Sequence, residues 1–499
     1  MTLLRKLAGE TAFYGFSYIL SRVLHYILLT WYLTNRVFEP TEFGIYRDLY
    51  FWVAVLVVIL TFRMETTYFR YAKEDRPAVT TMSLAFLLTT AVIFLLSLWI
   101  FRYDVANALD YPKLTKHIMM LGVVLAFDVL SAVPFASLRQ QNRPLLFLSL
   151  KVGSILLNIG LVLFFIEWLP LLGGKSEVWS LKLNADKLFY VILANLLASA
   201  ITLLFLLPLL RNQPFRWDFS FLKRMLHYSW PLVIVGFAGV INQYSSIAFQ
   251  KYLLEDDLTS NLAEGGKYAA AASIAIILSL FTTAYNYAAE PFFFAHKEKQ
   301  EARAVYADAA LAYTIIASLM MLIILAYLDV FQLLIGKNFR DTLEVVPILL
   351  VSFIFLGIYY NVSAWYKLAD KTIWGAFIAC IGMIITVVLS YLLIKTLGPV
   401  GSAWTALGCY VFMVVTAYLL GQKFYPIPYK IWRMLGWIVV AIMIYFVMEW
   451  LRGFYEGQLA VIIVVNTILI FIYIIIVFLT EKHLVRQIRG KIDNTEIVS

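Results

Sequence analysis

Apolar residues along this chain come in blocks, separated by short clusters of charge, glycine and proline. Trp52 to Phe62, Ala85 to Phe101 and Leu459 to Leu479 carry no charged residue. An α-helix rises about 1.5 Å per residue, so roughly 20 apolar residues cross a 30 Å hydrocarbon layer. With charge clusters, Gly and Pro as punctuation, the pattern predicts fourteen transmembrane helices, at about 11–33, 43–63, 79–101, 115–137, 145–167, 187–210, 227–250, 268–289, 308–333, 344–365, 373–395, 400–420, 431–451 and 458–480. The predicted fold class is an all-α polytopic membrane protein. The first block, interrupted by Arg22 and His25, reads as a membrane helix and not as a cleavable signal. An even number of crossings puts both termini on one side. With those ends inside, inner segments hold about 24 Lys and Arg against about 13 outside, so cytoplasmic termini are expected.

The pattern also repeats. Glu65-Thr-Thr-Tyr-Phe-Arg-Tyr-Ala-Lys-Glu74 follows the second helix, and Glu290-Pro-Phe-Phe-Phe-Ala-His-Lys-Glu298 follows the eighth. Gly44-Ile-Tyr46 and Gly266-Lys-Tyr268 mark matching starts of those helices. The turn Leu138-Arg-Gln-Gln-Asn-Arg143 matches Tyr366-Lys-Leu-Ala-Asp-Lys371. All three pairs lie about 222–228 positions apart, which indicates a duplicated six-helix unit. Six helices insert each copy in the same orientation, giving lobes related by a pseudo-two-fold axis along the membrane normal, an arrangement suited to alternating access. The expected division is 1–215 and 216–424 for the lobes, and 425–499 for an added helix pair and tail.

Ionisable groups at membrane depth are costly and usually face a cavity or a partner. On the first helix Tyr14, Tyr18, Ser21, Arg22, His25 and Tyr32 fall near one face. Arg22 lies roughly 15 Å from the inner surface, too deep to snorkel. It either pairs with a neighbouring helix or lines a cavity. Asp48 stands at a height similar to His25, so the two are a candidate pair, with Arg47 alongside as a cavity cation or an interfacial anchor. Asp128 and Lys151 share a depth on consecutive antiparallel helices. A structural salt bridge is the favoured reading, with a proton or sodium site at Asp128 as the sharper alternative. The second half offers neutral groups: Asn242, Gln243, Ser246 and Gln250 on helix seven, Thr282 and Asn286 on helix eight, Asn361 on helix ten. Helix–helix hydrogen bonding is their ordinary use. Pro231 is expected to open helix seven.

Composition narrows the function. Of 499 residues 62% are apolar and 14% charged, against about 45–50% and 25% in soluble domains. The polar stretches are too short for a soluble catalytic domain, and no P-loop is present. Cys380 and Cys409 lie in apolar segments and imply no disulfide framework. The net charge of +9 fits the cytoplasmic Lys/Arg excess of a membrane protein better than nucleic-acid binding. Cations concentrated in the first lobe suit an anionic substrate, since phosphate binds well to Arg at low dielectric.

Six-plus-six helices with two extra, the segment Tyr228-Ser-Trp-Pro231 and the run Phe281-Thr-Thr-Ala-Tyr-Asn-Tyr-Ala-Ala-Glu-Pro-Phe-Phe-Phe294 resemble the polysaccharide-unit (Wzx-type) flippases. These belong to the multidrug/oligosaccharidyl-lipid/polysaccharide exporter superfamily. The opening Leu7-Ala-Gly-Glu-Thr-Ala-Phe-Tyr-Gly15 and the turn Phe38-Glu-Pro-Thr-Glu-Phe-Gly-Ile-Tyr46 are similar too. The resemblance implies translocation of an undecaprenyl-pyrophosphate-linked oligosaccharide across the bacterial inner membrane, for lipopolysaccharide or surface polysaccharide biosynthesis, and no enzymatic chemistry. Cavity arginines of that family match Arg22 and Arg47. The related lipid II flippase typically carries cavity arginines in both lobes, which this sequence lacks in the second. Arg22 and His25 are thus expected to hold the headgroup, with Arg47, Lys151, Tyr18, Asn242 and Asn286 in support. Asp48 and Asp128 are candidate coupling sites for Na+ or H+, and no cofactor or metal is expected. Expected partners are the lipid-linked oligosaccharide, membrane lipid, and the glycosyltransferases and polymerase of the same pathway. The alternatives are a multidrug/cation antiporter, which needs an acidic cavity, a lipid II flippase, and a membrane glycosyltransferase or polymerase. The last needs acidic catalytic groups, and the one outer acidic cluster, Glu255-Asp256-Asp257, reads as a solvated loop.

Overall fold

The computed structural model describes residue 24 and residues 29–141, 143–172, 186–210, 214–254, 257–296, 302–369, 371, 373–455 and 457–482. Among the described residues the chain is all-helical, and thirteen helices are long and apolar enough to cross a membrane. The fourteenth predicted helix, the first at 11–33, lies almost wholly outside them. Its end appears as a turn of helix, Thr30–Tyr32, that loosens into a π segment, Leu33–Val37.

We label the main helices α1 (Pro40–Thr61), α2 (Met64–Tyr71), α3 (Arg76–Ile100), α4 (Arg102–Ala108), α5 (Thr115–Gln140), α6 (Pro144–Leu163), α7 (Lys187–Leu206), α8 (Phe219–Tyr244), α9 (Ser246–Leu253), α10 (Leu258–His296), α11 (Ala302–Ala326), α12 (Val345–Val362), α13 (Ala364–Leu368), α14 (Ile373–Leu397), α15 (Pro399–Phe424), α16 (Ile431–Arg452) and α17 (Leu459–Thr480). Local chemistry sets several ends. Pro40 opens α1 behind a capping box, in which the Glu39 N–H donates to Glu42 at 3.1 Å. Asp218 caps α8 by accepting from the Phe221 N–H at 3.0 Å. The Ser220 hydroxyl and that N–H together hold its carboxyl below the usual range.

Some predicted boundaries move. Helix seven begins at Phe219, so Pro231 lies inside α8 instead of opening it. The Asp218 cap starts the helix earlier, and a membrane helix tolerates an interior proline where neighbours meet the freed backbone groups. Gly266 likewise falls inside α10, which begins at Leu258. The segment Glu65–Glu74, expected between helices two and three, is mostly helix α2. It is set off from α1 by Phe62 and Arg63, both left-handed at φ 48° and 54°. Such backbone is costly for side chains of this size, of order 1–3 kcal/mol each, and tends to mark functional bends.

The chain divides into two compact units, 1–269 and 270–499. In the first, α5 is the most deeply buried span and packs against α1, α2, α3 and α7. The unit also takes in α8 and α9, because they pack on α1, α2 and α3. In the second unit the span Val345–Leu368 is the most deeply buried, packed on α11 and α15. The final pair, α16 and α17, packs against α11. The ends of these two spans, Gln140 and Leu368, lie 228 positions apart, within the offset expected for the repeat.

A second observation fits the repeat. A Cβ on Gly44 would fall on the carbonyl oxygen of Leu262, and one on Gly266 would fall on the carbonyl oxygen of Pro40. Positions 262 and 266 follow 40 and 44 by 222 residues each. The contact is therefore reciprocal, as across a two-fold axis. Small residues permit this approach, which in lipid is driven by packing and not by the hydrophobic effect.

Candidate functional site

The first unit holds a polar cavity of about 320 Å³ between α1, α2, α5, α6 and α7. Each wall follows from local sequence. The left-handed break at Phe62–Arg63 turns Arg63 and then Glu65 into it. α7 contributes a stripe at helical spacing, Asn195, Ser199 and Thr202, of which Ser199 and Thr202 line the cavity. α5 adds Asp128 and Ser131, and α6 adds Lys151 and Ser154. Asp128 is exposed to this space, although Ala126 and Val129 beside it are buried. At about 30 Å³ per water the cavity holds roughly ten waters, enough for an ion with its hydration but small for an oligosaccharide headgroup.

Asp128 and Lys151 do meet at one cavity, but not as a salt bridge. Ser199 donates to Asp128 Oδ1 at 3.0 Å, while the Lys151 ammonium lies 4.1 Å from the centre of the Phe135 ring. The ring face and the cavity give the ammonium an alternative to the carboxylate, so the favoured ion pair is corrected to two separated charges. Arg63 also closes over Gly236 of α8, where a Cβ would fall on its guanidinium.

Asp48 is placed very differently. It is fully buried, accepting from Tyr111 Oη at 2.8 Å and from Lys251 Nζ at 3.2 Å. Lys251, on α9, is equally buried. It also donates to the Leu109 carbonyl, and it lies 4.0 Å from the Tyr111 ring centre and 3.9 Å from Asp110. Burial and the Asp48 charge raise the Tyr111 hydroxyl above its ordinary range, which keeps it a donor. This pair stands one helical turn from the Gly44 crossing. A desolvated ion pair needs such additional bonds to offset lost hydration.

The second unit has a neutral network. Tyr285 donates to Asn361, Thr282 and Tyr313 share a hydrogen bond of 2.7 Å, and Tyr429 donates to the Asn361 carbonyl at 3.1 Å. Thr282 and Asn361 thus take the helix–helix role expected of them. Asn286 is half-buried in this unit, and Asn242 is buried in the first. Arg47 is half-buried on α1 and does not line the Asp128 cavity. Tyr18, Arg22 and His25 lie outside the described residues. Sequence reading missed Arg63, Glu65, Ser199 and Lys251. The Asn195–Ser199–Thr202 stripe was the available signal, whereas Lys251 falls just past the predicted end of helix seven at 250. No group of three His, Cys, Asp or Glu able to hold a metal occurs among the described residues.

Comparison with known proteins places this architecture. The lipid II flippase MurJ, in an inward closed conformation, is similar over 93% of this chain and 98% of its own, with 13% identity and a TM-score of 0.69. A multidrug resistance MATE family transporter of the MOP superfamily, inward-facing, is similar over 83% and 94%, with 14% identity and a TM-score of 0.60. An outward-facing conformation of a multidrug resistance MATE family transporter of the MOP superfamily gives 14% identity over 83% and 95%, with a TM-score of 0.59. Among curated proteins no sequence match is found. Such identities establish a shared fold. The family rests on the sequence itself, which matches the polysaccharide biosynthesis protein model over residues 7–297. The chain therefore belongs to the polysaccharide biosynthesis protein family, within the multidrug/oligosaccharidyl-lipid/polysaccharide exporter superfamily of flippases and exporters.

Proposed function

We propose that this protein flips a lipid-linked oligosaccharide, carried on undecaprenyl pyrophosphate, across the cytoplasmic membrane for lipopolysaccharide or surface polysaccharide assembly. The observation that carries the reading is the family match across residues 7–297, in a chain that spans the membrane many times. The two six-helix repeats, 1–215 and 216–424, alternate between inward and outward openings, with 425–499 as an accessory pair and tail. The reciprocal crossing at Gly44 and Gly266 supports that symmetry and forms one closure. Arg22 and His25 contact the pyrophosphate, with Tyr18, Arg47, Asn242 and Asn286 along the route. Both termini face the cytoplasm, and the pathway's glycosyltransferases and polymerase supply and consume the substrate.

The cavity at Asp128 couples this movement to an ion gradient. Its size, its two carboxylates and its separated Lys151 favour H+ or Na+ over the headgroup. A carboxylate facing a cavity large enough for water can bind a cation there, and Ser199 and Ser131 add hydroxyl oxygens. Lys151 and Arg63 offset part of the negative charge, which keeps affinity low enough for release. Asp48 takes a structural role instead.

Two assays test the reading. With Arg22→Ala, lipid-linked oligosaccharide should accumulate on the cytoplasmic leaflet of cells. In proteoliposomes an imposed ion gradient should drive flipping by the wild type but not by Asp128→Asn. Drug resistance lost with unchanged surface polysaccharide would favour the antiporter, and glycosyl transfer by the purified protein would favour an enzyme.

A further inference from the structure

The connection from α3 to α5 lies at one boundary of the membrane. α3 ends at Ile100, the seven-residue α4 turns across, and α5 starts at Thr115. Beneath α4 runs an apolar groove of about 300 Å³, bounded by Trp52 and Leu56 of α1, Ser97 of α3, Val105 of α4, and Leu121 and Gly122 of α5. Glycine at 122 lets the Leu98 side chain lie directly on α5, and this shapes the floor.

On the other side of the same connection is a pocket of about 670 Å³ lined by Arg102, Lys113 and Lys116. Lys113 and Lys116 are exposed. Arg102 is pinned by a bond of 2.8 Å to the Trp99 carbonyl and by the Tyr103 ring at 4.6 Å. The pocket's carboxylate, Asp186, is already engaged, accepting from the Phe189 N–H at 3.1 Å and meeting His117 Nε2 at 2.8 Å. Thr115, Lys116 and His117 form the first turn of α5, which has no side-chain cap.

An apolar groove and a cationic pocket on either side of one interfacial turn match the two ends of a charged amphiphile. We propose that this is a binding site for an anionic phospholipid of the surrounding membrane, its acyl chain in the groove under α4 and its phosphate among Arg102, Lys113 and Lys116. Neither groove nor pocket shares a lining residue with the Asp128 cavity. Neither is lined by Arg47, Asn242 or Asn286, the described residues proposed along the substrate route, so the occupant is taken as a resident lipid and not the molecule in transit.

Native mass spectrometry of the full chain in detergent tests this, with phosphatidylglycerol, phosphatidylethanolamine of the same acyl chains and a polyprenyl monophosphate in separate arms. Phosphatidylglycerol should be retained preferentially. Arg102→Gln, Lys113→Gln and Lys116→Gln should each weaken its retention about fivefold, as expected for one basic residue near an anionic lipid. Ser97→Trp, which fills the groove mouth without changing charge, should weaken it as well. Equal retention of the two phospholipids, preference for the polyprenyl monophosphate, or indifference to these substitutions would overturn the proposal. The readout needs no transport, so it stands or falls apart from the flippase reading.

Discussion

Two aspartates of the first unit, Asp48 and Asp128, interrupt apolar spans, and their surroundings differ in every respect that matters. Asp48 is dry, bonded to Lys251 and Tyr111 at a crossing where helix backbones touch. Asp128 faces a cavity, has one serine as hydrogen-bond donor, and keeps its nearest cation at a distance. A carboxylate whose charge is neutralised by a fixed partner has little left to offer an ion. One whose partners are water and a hydroxyl can exchange them. From this contrast we propose a structural role for Asp48 and ion coupling for Asp128.

The largest effect should come from breaking the dry pair. Lys251→Met leaves Asp48 buried without its cation and should cost about 3–5 kcal/mol, read by denaturation in detergent. The double variant Asp48→Leu with Lys251→Met should recover most of that loss, because a well-packed apolar pair is often no worse than a buried ion pair. If the single variant were as stable as wild type, the contrast between the sites would be lost. Next in size, Gly44→Ala or Gly266→Ala puts a methyl on the opposing backbone and should cost about 1–3 kcal/mol by overpacking. The same substitutions should bias the protein away from the closed crossing, measurable as cysteine accessibility from the side that opens. At the wet site effects on stability should be small. Ser199→Ala removes one hydrogen bond that water can replace, about 0.6 kcal/mol in a membrane bundle. Its effect should appear in the pH or Na+ dependence of transport instead.

How much of this was legible in the sequence varies with the physics involved. The helix count was readable because lipid demands long apolar runs, and thirteen of them appear as spans among the described residues. Gly44 and Gly266 stood out in the sequence as a matching pair of motifs, but their close approaches to Leu262 and Pro40 were not readable there. The wet site was half readable: Asp128 and Lys151 stood out as charges in apolar helices, and both line one cavity. Their separation was not readable, because it depends on the Phe135 ring and on Ser199 from a helix 71 positions away. Arg63 was hidden by the assumption that a helix ends where charge begins, whereas the chain makes a left-handed break and continues as α2. Lys251 was hidden for the opposite reason. It lies near a helix end, where lysines normally reach water, and only the fold shows it buried against Asp48.

The most direct test compares Asp128→Asn with Asp48→Asn in a gradient-driven flipping assay, normalised to folded protein. The account predicts that Asp128→Asn folds to within about 1 kcal/mol of wild type. Its gradient-driven rate should fall at least about tenfold, equivalent to about 1.4 kcal/mol. Asp48→Asn should lose folded protein but retain activity per folded molecule. Wild-type flipping by Asp128→Asn, at wild-type levels of folded protein, would contradict it.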